Sequence, residues 1–562
     1  MHGYSRVGLL SAVVAAWGCG VSGSESPDRI LVGGSVWTGD ADAPAAEAIA
    51  ITGRRIIAVG GSDEIRALAG PETDVIELGG RFAMPGFIDT HTHFLDGGFR
   101  LASVDLRDAA SPEEFARRLA EHAEKLPPGT WILGGDWDHE LWGGELPDRE
   151  WIDEVTTEHP VFVTRLDWHM ALANSTALEL AEFDPKTPDP AGGEIERDAT
   201  GRPTGVLKDE AMAFLYAAIP EPTDVEQDSA FSAAMRLAAS LGVTGVHDMG
   251  TWDGLATYER AHRRGALTLR VRAFVPLSTA ERLATFVDER GGTGDDMLSW
   301  GGLKGFVDGS LGSSTALFFD PYLDTPATSG LTVIGMDALA DRVRIADAAG
   351  LQVAIHAIGD RANAELLDLY QDLVGEHGER DRRYRIEHAQ HLRPEDFGRF
   401  AELGIIPAMQ PYHAIDDGRW AERKIGPERA RSTYAFRSLE DAGARPAFGS
   451  DWTVGPLDPL LGLFAAVTRR TLDGAHPDGW IPEQRITLDE ALRAYTSDAA
   501  RAGFNDDRVG TLKPGMLADI IVLDRSPFDV DPSVIGDLEV ELTIVGGETV
   551  FEQGGEQSEA TD

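Results

Sequence analysis

The chain of 562 residues is long enough for one large domain and a smaller one, and its hydrophobic fraction of 42% is ordinary for a soluble globular protein. Its 94 acidic and 50 basic residues give a net charge of −44, which disfavours nucleic acid and anionic membranes as partners. The single cysteine excludes intramolecular disulfides and cysteine-rich metal sites. The simplest explanation of the acidic composition is solubility. A preference for cationic substrates is a more specific explanation, but the sequence gives it little support.

Residues 1–27 are predicted to be a lipoprotein-type leader and tether. Arg6 precedes the apolar stretch Val7–Trp17, which is too short to span a bilayer, and Cys19 follows it before a Ser/Gly-rich segment. This resembles a bacterial lipoprotein signal, although the bulky Trp17 stands where a small residue is usual. We therefore expect an exported protein, periplasmic or tethered to the membrane through a lipidated Cys19, with a disordered extension as the alternative.

Both ends of the remaining chain are rich in short strands. Residues 28–81 and 508–556 are predicted to form one composite β-sandwich domain, because apolar β-branched runs alternate there with glycine-rich turns. The predicted strands are Arg29–Trp37, Ala48–Val59, Val75–Leu78, Ile520–Leu523, Leu542–Val545 and Thr549–Phe551.

The middle of the chain, residues 82–507, alternates strand-like runs with amphipathic helices such as Pro112–Lys125, Asp228–Leu241, Met336–Ala349 and Pro394–Leu403. This pattern predicts an α/β fold, a TIM-like (β/α)8 barrel, with its active site at the carboxyl ends of the strands. A turn-rich insertion around residues 187–222 is a candidate lid. The eight predicted barrel strands are Phe82–Ile88, Pro160–Thr164, Val243–Asp248, Gly302–Val307, Gln352–Ile355, Arg385–Glu387, Ile405–Met409 and Arg445–Phe448.

Six polar side chains lie in or just after these strands. His91 and His93 end the first, and residues two apart in a strand share a face, so both imidazoles would be spaced to hold one metal ion. Each of the others has an ordinary explanation alone, such as a helix N-cap for the aspartate. Their common placement at one barrel face makes coincidence improbable. The others are Lys304, His356, His388 and Asp451.

The order His-x-His, Lys, His, His, Asp resembles the amidohydrolase superfamily, and the motifs resemble its amidohydrolase-3 branch, which includes N-substituted formamide deformylase-like enzymes. The resemblance spans about residues 29–553. The segments that carry it are Met84–His93, Trp168–Ser175, Thr204–Asp209, Val307–Ser313, Ile355–Arg361, Arg385–Gln390, Ser450–Asp451 and Lys513–Asp519.

The resemblance implies one or two divalent metal ions, with zinc expected. His91, His93 and Asp451 would bind the first ion, His356 and His388 a second, and Lys304 would bridge both if carbamylated. Asp451 would also accept a proton from the water that the metal activates and return it to the leaving nitrogen. Lys304 could instead neutralise a neighbouring carboxylate, and both metal number and carbamylation stay open.

Three further residues are candidates for substrate contact, namely His169, Asn174 and Trp137. His169 and Asn174 follow the second predicted strand, and packing or turn formation explains them equally well. Trp137 lies in a tryptophan-rich loop, where burial in a core is the default explanation. Lys208 is a rival lysine, but its place in the predicted insertion favours a solvated or substrate-side role.

The sequence therefore predicts a metal-dependent hydrolase that cleaves a non-peptide C–N bond in an amide, N-formyl or N-acyl small molecule. The same chemistry would serve an esterase or lactonase. An exported small-molecule-binding protein that has lost catalysis is a third hypothesis, which the complete set of six polar residues disfavours. The substrate is not predictable, and a homo-oligomer stays open.

Overall fold

The computed structural model describes residues 26–165, 170–190, 193–312 and 314–555. The predicted leader with Cys19, and the predicted substrate contact His169, lie outside the described residues. No helix within the described ranges is long and apolar enough to cross a membrane.

Strands and helices are numbered in chain order. The strands are β1 (Arg29–Val32), β2 (Ser35–Trp37), β3 (Ala45–Ala46), β4 (Ala48–Thr52), β5 (Arg55–Gly60), β6 (Asp74–Glu77), β7 (Phe82–Pro85), β8 (Phe87–Thr92), β9 (Val104–Asp105), β10 (Ile132–Trp137), β11 (Val161–Arg165), β12 (Met170–Ala173), β13 (Gly193–Arg197), β14 (Pro203–Asp209), β15 (Val243–Met249), β16 (Arg270–Pro276), β17 (Leu298–Phe306), β18 (Gln352–Ala357), β19 (Arg385–His388), β20 (Ile406–Met409), β21 (Ala447–Phe448), β22 (Ile520–Leu523), β23 (Val540–Val545) and β24 (Glu548–Glu552). The α-helices are α1 (Ser62–Arg66), α2 (Phe94–Ala102), α3 (Pro112–Ala123), α4 (Ser175–Leu180), α5 (Ala213–Tyr216), α6 (Asp224–Ser240), α7 (Trp252–Arg263), α8 (Ala280–Arg290), α9 (Met336–Ala348), α10 (Asp360–His377), α11 (Phe397–Leu403), α12 (Pro411–Asp417), α13 (Ala421–Ile425), α14 (Pro427–Ala430), α15 (Phe436–Asp441), α16 (Pro459–Thr468), α17 (Leu488–Ala494) and α18 (Ser497–Ala502).

Eight parallel strands form the central sheet, in the order β8-β15-β16-β17-β18-β19-β20-β21. A parallel bridge between Thr92 and Trp452 joins the first strand to the segment after the last, so the sheet is nearly closed. The strands are almost entirely buried, as expected where helices cover a parallel sheet. For example, Val343 of α9 and Leu366 of α10 belong to the hydrophobic core that surrounds the barrel strands. The predicted (β/α)8 barrel is confirmed.

The predicted second barrel strand, Pro160–Thr164, was wrong. That run forms β11 in a different sheet, and the barrel position next to β15 is taken by β16, Arg270–Pro276. The sequence pattern missed β16 because Arg270 and Arg272 interrupt its apolar residues. Both arginines are nevertheless buried, since Arg270 donates to Asp519 Oδ2 at 2.6 Å and Arg272 to Gln352 Oε1 at 2.8 Å.

The predicted first strand, Phe82–Ile88, is two strands divided at Gly86. β7 pairs with β2 and β22 outside the barrel, whereas β8 pairs with β15 inside it. A Cβ atom at Gly86 would lie 2.2 Å from Thr244 Cγ2, so only glycine lets the chain pass this close to β15. This crossing places the His-x-His segment at the end of a barrel strand.

The two chain ends meet in a pair of sheets with strand orders β5-β4-β1-β6 and β24-β23-β22-β7-β2-β3. Apolar side chains of both sheets share one core, which includes Leu31, Ile49, Ile520 and Ile544. This packing gives the β-sandwich architecture expected from the alternating sequence pattern. β7 of this pair of sheets leads directly into barrel strand β8.

A fourth sheet, with strand order β13-β14-β12-β11-β10-β9, is formed by the chain between β8 and β15. The predicted insertion at residues 187–222 contains only β13 and β14, the two strands at one end of this sheet. The sheet also includes Pro160–Thr164, which the sequence predicted as a barrel strand and which forms β11, so the chain leaves the barrel over a longer stretch than the predicted insertion. None of the described residues of this sheet lines the main cavity at the barrel mouth, so the predicted lid is not seen there.

Candidate active site

A cavity of about 430 Å³ opens at the carboxyl ends of the barrel strands. All six side chains predicted as metal ligands line it: His91, His93, Lys304, His356, His388 and Asp451. They come from the ends of five different strands, which is where (β/α)8 barrels place catalytic groups.

Backbone hydrogen bonds fix the His-x-His segment against the segment that carries Asp451. The Asp451 backbone N–H donates to His91 O at 2.8 Å, and the His93 N–H donates to Trp452 O at 2.6 Å. Asp451 adopts a positive φ of 55°, and His388 one of 72°. Left-handed backbone is uncommon for such residues and is concentrated at functional sites, where neighbouring structure enforces it.

The side chains converge closely. Asp451 Oδ1 lies 3.5 Å from Nε2 of His91 and 3.5 Å from Nε2 of His93. Within the described residues, His91, His388 and Asp451 each present one ligand atom within 4.8 Å of the others. The His356 ring lies 4.4 Å from the His388 ring, between centroids, so the second predicted pair is also adjacent.

Hydrogen bonds on the far side of the rings determine which nitrogens face the cavity. Glu387 Oε2 accepts from His91 Nδ1 at 2.5 Å, and Gln410 Oε1 accepts from His388 Nδ1 at 2.8 Å. These bonds leave both Nε2 lone pairs available. His356 is reversed, because its Nε2–H donates to Gly309 O at 3.0 Å and leaves Nδ1. Such partners orient imidazoles for metal binding.

Burial keeps these imidazoles neutral. Burial and, to a smaller extent, the nearby Lys304 lower the pKa of His91 to about 4 and that of His356 to about 3. Burial and the neighbouring His356 hold the pKa of His388 well below its usual range. Neutral imidazole is the form that binds a metal.

Lys304 and Asp451 supply the opposite charges of the cluster. Burial lowers the pKa of Lys304 to about 8, and its Nζ lies 3.1 Å from His91 Nε2. Burial alone would raise the pKa of Asp451, but the neighbouring His91 and His93 hold it well below its usual range. The neutral imidazoles of His91, His356 and His388 beside an ionised carboxylate are donors that zinc and similar divalent ions prefer, so the residues fit such an ion.

The other predicted contacts lie away from the cavity. Trp137 is fully buried in the core of the fourth sheet, where its Nε1–H donates to Val163 O at 2.9 Å. Asn174 is buried as the N-cap of α4, and its Oδ1 also accepts from Val161 N at 2.9 Å. Lys208 pairs with Glu196 at 2.6 Å. Asn174 was a candidate because it follows Pro160–Thr164, the second predicted barrel strand. That run is β11, which is not a barrel strand, so this reason no longer holds.

Sequence reasoning overlooked several residues at the site. Glu387 precedes His388 directly, and Gln410 and His413 follow β20, the seventh barrel strand, for which no site residue was predicted. The rule that flagged Asp451 after the last strand would also have flagged these two. Their cavity neighbours Asp417 and Trp420 belong to α12 and the turn after it, where nothing in the sequence distinguishes them from surface residues.

A nearly closed (β/α)8 barrel with a histidine, lysine and aspartate cluster at its strand ends is the architecture of metal-dependent hydrolases. The particular family follows from comparison with known sequences. The model of the amidohydrolase family matches residues 74–551, and the chain belongs to that family.

Relatives align along almost the whole chain. The protein is 40% identical over 536 residues to Protein LONG AFTER FAR-RED 3 of Arabidopsis thaliana, covering 93% of this chain and 91% of that one. It is 31% identical over 544 residues to the N-substituted formamide deformylase of Arthrobacter pascens, covering 94% and 99%. Among solved structures, an uncharacterized metal-dependent hydrolase from Pyrococcus horikoshii OT3 superposes with a TM-score of 0.76 at 30% identity, covering 90% and 99%.

Proposed function

We propose that this protein hydrolyses the C–N bond of a non-peptide amide, an N-formyl or N-acyl compound, with metal-activated water. The observation that carries the proposal is the convergence of all six polar side chains on one cavity at the barrel mouth. The similarity to an N-substituted formamide deformylase along almost the full length of both chains supports the choice of a C–N bond.

We assign a role to each of these residues from its contacts. Asp451 Oδ1 lies near Nε2 of both His91 and His93, so these three would hold one ion. His356 and His388, whose rings are adjacent, would hold a second. Lys304 Nζ lies 3.1 Å from His91 Nε2, and burial favours its neutral amine, the form that carbon dioxide can carbamylate. The carbamate would supply anionic oxygens to both ions.

A bound divalent ion would polarise the substrate carbonyl and lower the pKa of a water molecule from about 15.7 towards about 7. Asp451 is ionised and sits at the cavity surface, so its carboxylate accepts the proton of the attacking water. The same carboxyl then donates that proton to the leaving nitrogen, which departs as an amine. The buried side chain of Leu311 lines the same cavity and helps to exclude bulk water from this transfer.

The test is a parallel screen of formamides, N-acyl amines, N-acyl amino acids and esters with the zinc-reconstituted enzyme. We expect amide hydrolysis, one or two metal equivalents in the purified protein, and loss of turnover on chelation. Esters cleaved in preference to every amide would replace the proposal with an esterase. A metal-loaded protein inert towards all substrates would indicate a binding protein.

The variant Asp451→Asn tests the proton-transfer role. It should lower kcat by about 10²–10⁴-fold, because a carboxamide cannot accept the proton, while most of the metal remains bound. The matched control Asp372→Asn changes an exposed aspartate on α10 and should leave kcat unchanged. Full activity in Asp451→Asn would remove this residue from the mechanism.

A further inference from the structure

One wall of the cavity consists of polar residues that the metal site does not use. α12 and the turn after it contribute most of them, and the segment after β19 adds one more. Their side chains face the same space as the metal-ligand cluster. They are His413, Asp416, Asp417, Trp420 and Gln390.

Asp417 is held rigidly in this wall. Its Oδ2 accepts a hydrogen bond from Gln390 Nε2 at 2.8 Å and another from Tyr434 Oη at 2.7 Å. No donor among the described residues contacts its Oδ1. The carboxylate is therefore fixed in orientation by two side chains and keeps one oxygen to accept a hydrogen bond from a ligand.

The charges in the cavity favour one kind of ligand. Lys304 is the only lysine among the described residues that line it, no described arginine does, and Lys304 belongs to the metal cluster. Asp416 is neutralised by an ion pair with Arg419, whereas Asp417 has no cationic partner among the described residues. Burial raises the pKa of Asp417 to about 7, so an approaching cation would favour its ionised form.

His413 is an independent sign that this wall meets a ligand. Its Nε2 is buried without a hydrogen-bond partner among the described residues. An unpaired buried polar atom is destabilising, and native proteins contain few of them. His413 lies one helical turn before Asp417 on α12, so both side chains belong to the same part of the cavity.

We propose that Asp417 recognises a hydrogen-bond donor, preferentially an ammonium group, on the amine portion of the substrate. The substrate would then be a mono-acylated diamine or a related N-acyl amine rather than an N-acyl amino acid, whose carboxylate would face Asp417. Trp420 and Leu311 contribute apolar surface for the carbon chain between the two polar ends. The net charge of −44 also favours the approach of cations. This assignment rests on the proposed amide hydrolysis.

The experiment compares four N-formyl alkylamines of equal chain length that end in ammonium, hydroxyl, methyl or carboxylate. We expect kcat/KM of the zinc-loaded enzyme to be at least about tenfold higher for the ammonium than for the methyl end, the lower range for a hydrogen bond to a charged group. The carboxylate end should be the poorest substrate. A carboxylate preference, or no preference for ammonium over methyl, would overturn the proposal.

The isosteric variant Asp417→Asn isolates the residue. It retains an oxygen for Gln390 and Tyr434, so kcat/KM for the ammonium-ended substrate should fall and the preference for ammonium over methyl should decrease about tenfold. The control Asp372→Asn should keep the full preference. An unchanged preference in Asp417→Asn would show that another group recognises the amine.

Binding separates failure of this proposal from failure of the proposed function. Calorimetry with pentylammonium and 1-pentanol on the zinc-loaded enzyme measures recognition without turnover. Tighter binding of pentylammonium that Asp417→Asn abolishes would support the subsite even if no amide were hydrolysed. Equal or tighter binding of 1-pentanol would overturn it, and this comparison holds for the wild-type protein even if the variant does not fold.

Discussion

His91 and Glu387 are joined by a hydrogen bond of 2.5 Å between Nδ1 and Oε2, and both side chains are almost completely buried. Burial alone would raise the pKa of Glu387, but Arg385 and His91 hold it at about 2. The carboxylate therefore stays ionised and keeps the His91 proton on Nδ1. The proposed ligand atom, Nε2, is presented to the cavity for this reason.

The variant Glu387→Gln should weaken zinc binding about 10–100-fold, because a neutral amide, unlike an ionised carboxylate, does not increase the basicity of His91. Competition with a chromophoric chelator measures this affinity directly. The exposed Glu402→Gln is the matched control and should bind zinc like the wild type. Unchanged affinity in Glu387→Gln would mean that His91 is not a ligand.

Arg385 forms the next contact outward from Glu387. Its Nε donates to Glu387 Oε1 at 2.7 Å and its Nη2 to Oε2 at 2.9 Å, with neither side chain exposed. Arg385→Ala should lower the free energy of unfolding by about 3–5 kcal/mol, since a buried carboxylate loses its cation. Denaturant unfolding measures the loss. The double variant Arg385→Ala/Glu387→Ala should recover part of it, and equal losses in both would contradict the account.

The backbone passes very close to Thr244 at Gly86, and this close approach sets the position of β8. Gly86→Ala should destabilise the fold by about 1–3 kcal/mol, because the new methyl group would lie 2.2 Å from Thr244 Cγ2. Adding Thr244→Ala should restore part of the loss by removing the atoms it meets. Thermal unfolding of Gly86→Ala, of Thr244→Ala and of the double variant gives a double-mutant cycle. If the losses of unfolding free energy were strictly additive, the two residues would not clash.

Asp347 links α9 to the strand region of β19 on the outside of the barrel. Its side chain is buried and accepts hydrogen bonds from Arg382 at 2.8 Å and from Tyr384. Burial would raise its pKa, but Arg382 and the other partners lower it to about 2. A carboxyl with a depressed pKa stabilises the fold above its ordinary pKa near 3.9, and this contribution is lost as the pH falls through about 2.

The stability difference between wild type and Asp347→Asn should therefore be greatest above about pH 5 and should shrink by about 2 kcal/mol towards pH 2. Urea unfolding at several pH values measures it. Asp372→Asn should show no such trend. A difference that does not change with pH would mean that ionisation of Asp347 does not contribute to stability.

Local sequence patterns predicted the barrel and the placement of its polar residues because each signal is short-range. The apolar run before His91 and the residues after β18, β19 and β21 identify strand ends without any tertiary information. The assignment of β11 to the barrel failed because an apolar run does not reveal which sheet it joins. β16 was missed because the partners that allow Arg270 and Arg272 to be buried, Asp519 and Gln352, are distant in sequence.

The outer parts of the site depend on contacts that no local pattern contains. Glu387 acquires its role only because β19 lies opposite the end of β8, and Asp417 only because Tyr434 and Gln390 reach it. Trp137 illustrates the reverse case. Its tryptophan-rich loop made it a candidate for substrate contact, yet it packs in the core of the fourth sheet, in agreement with the default explanation for a tryptophan.

The most direct test of the central claim is anomalous diffraction at the zinc absorption edge from crystals of the zinc-loaded protein. The account predicts one or two peaks at the barrel mouth, the first within about 2.0–2.2 Å of His91 Nε2 and an Asp451 oxygen. Zinc bound elsewhere, or a zinc-loaded protein with no peak between these side chains, would contradict it.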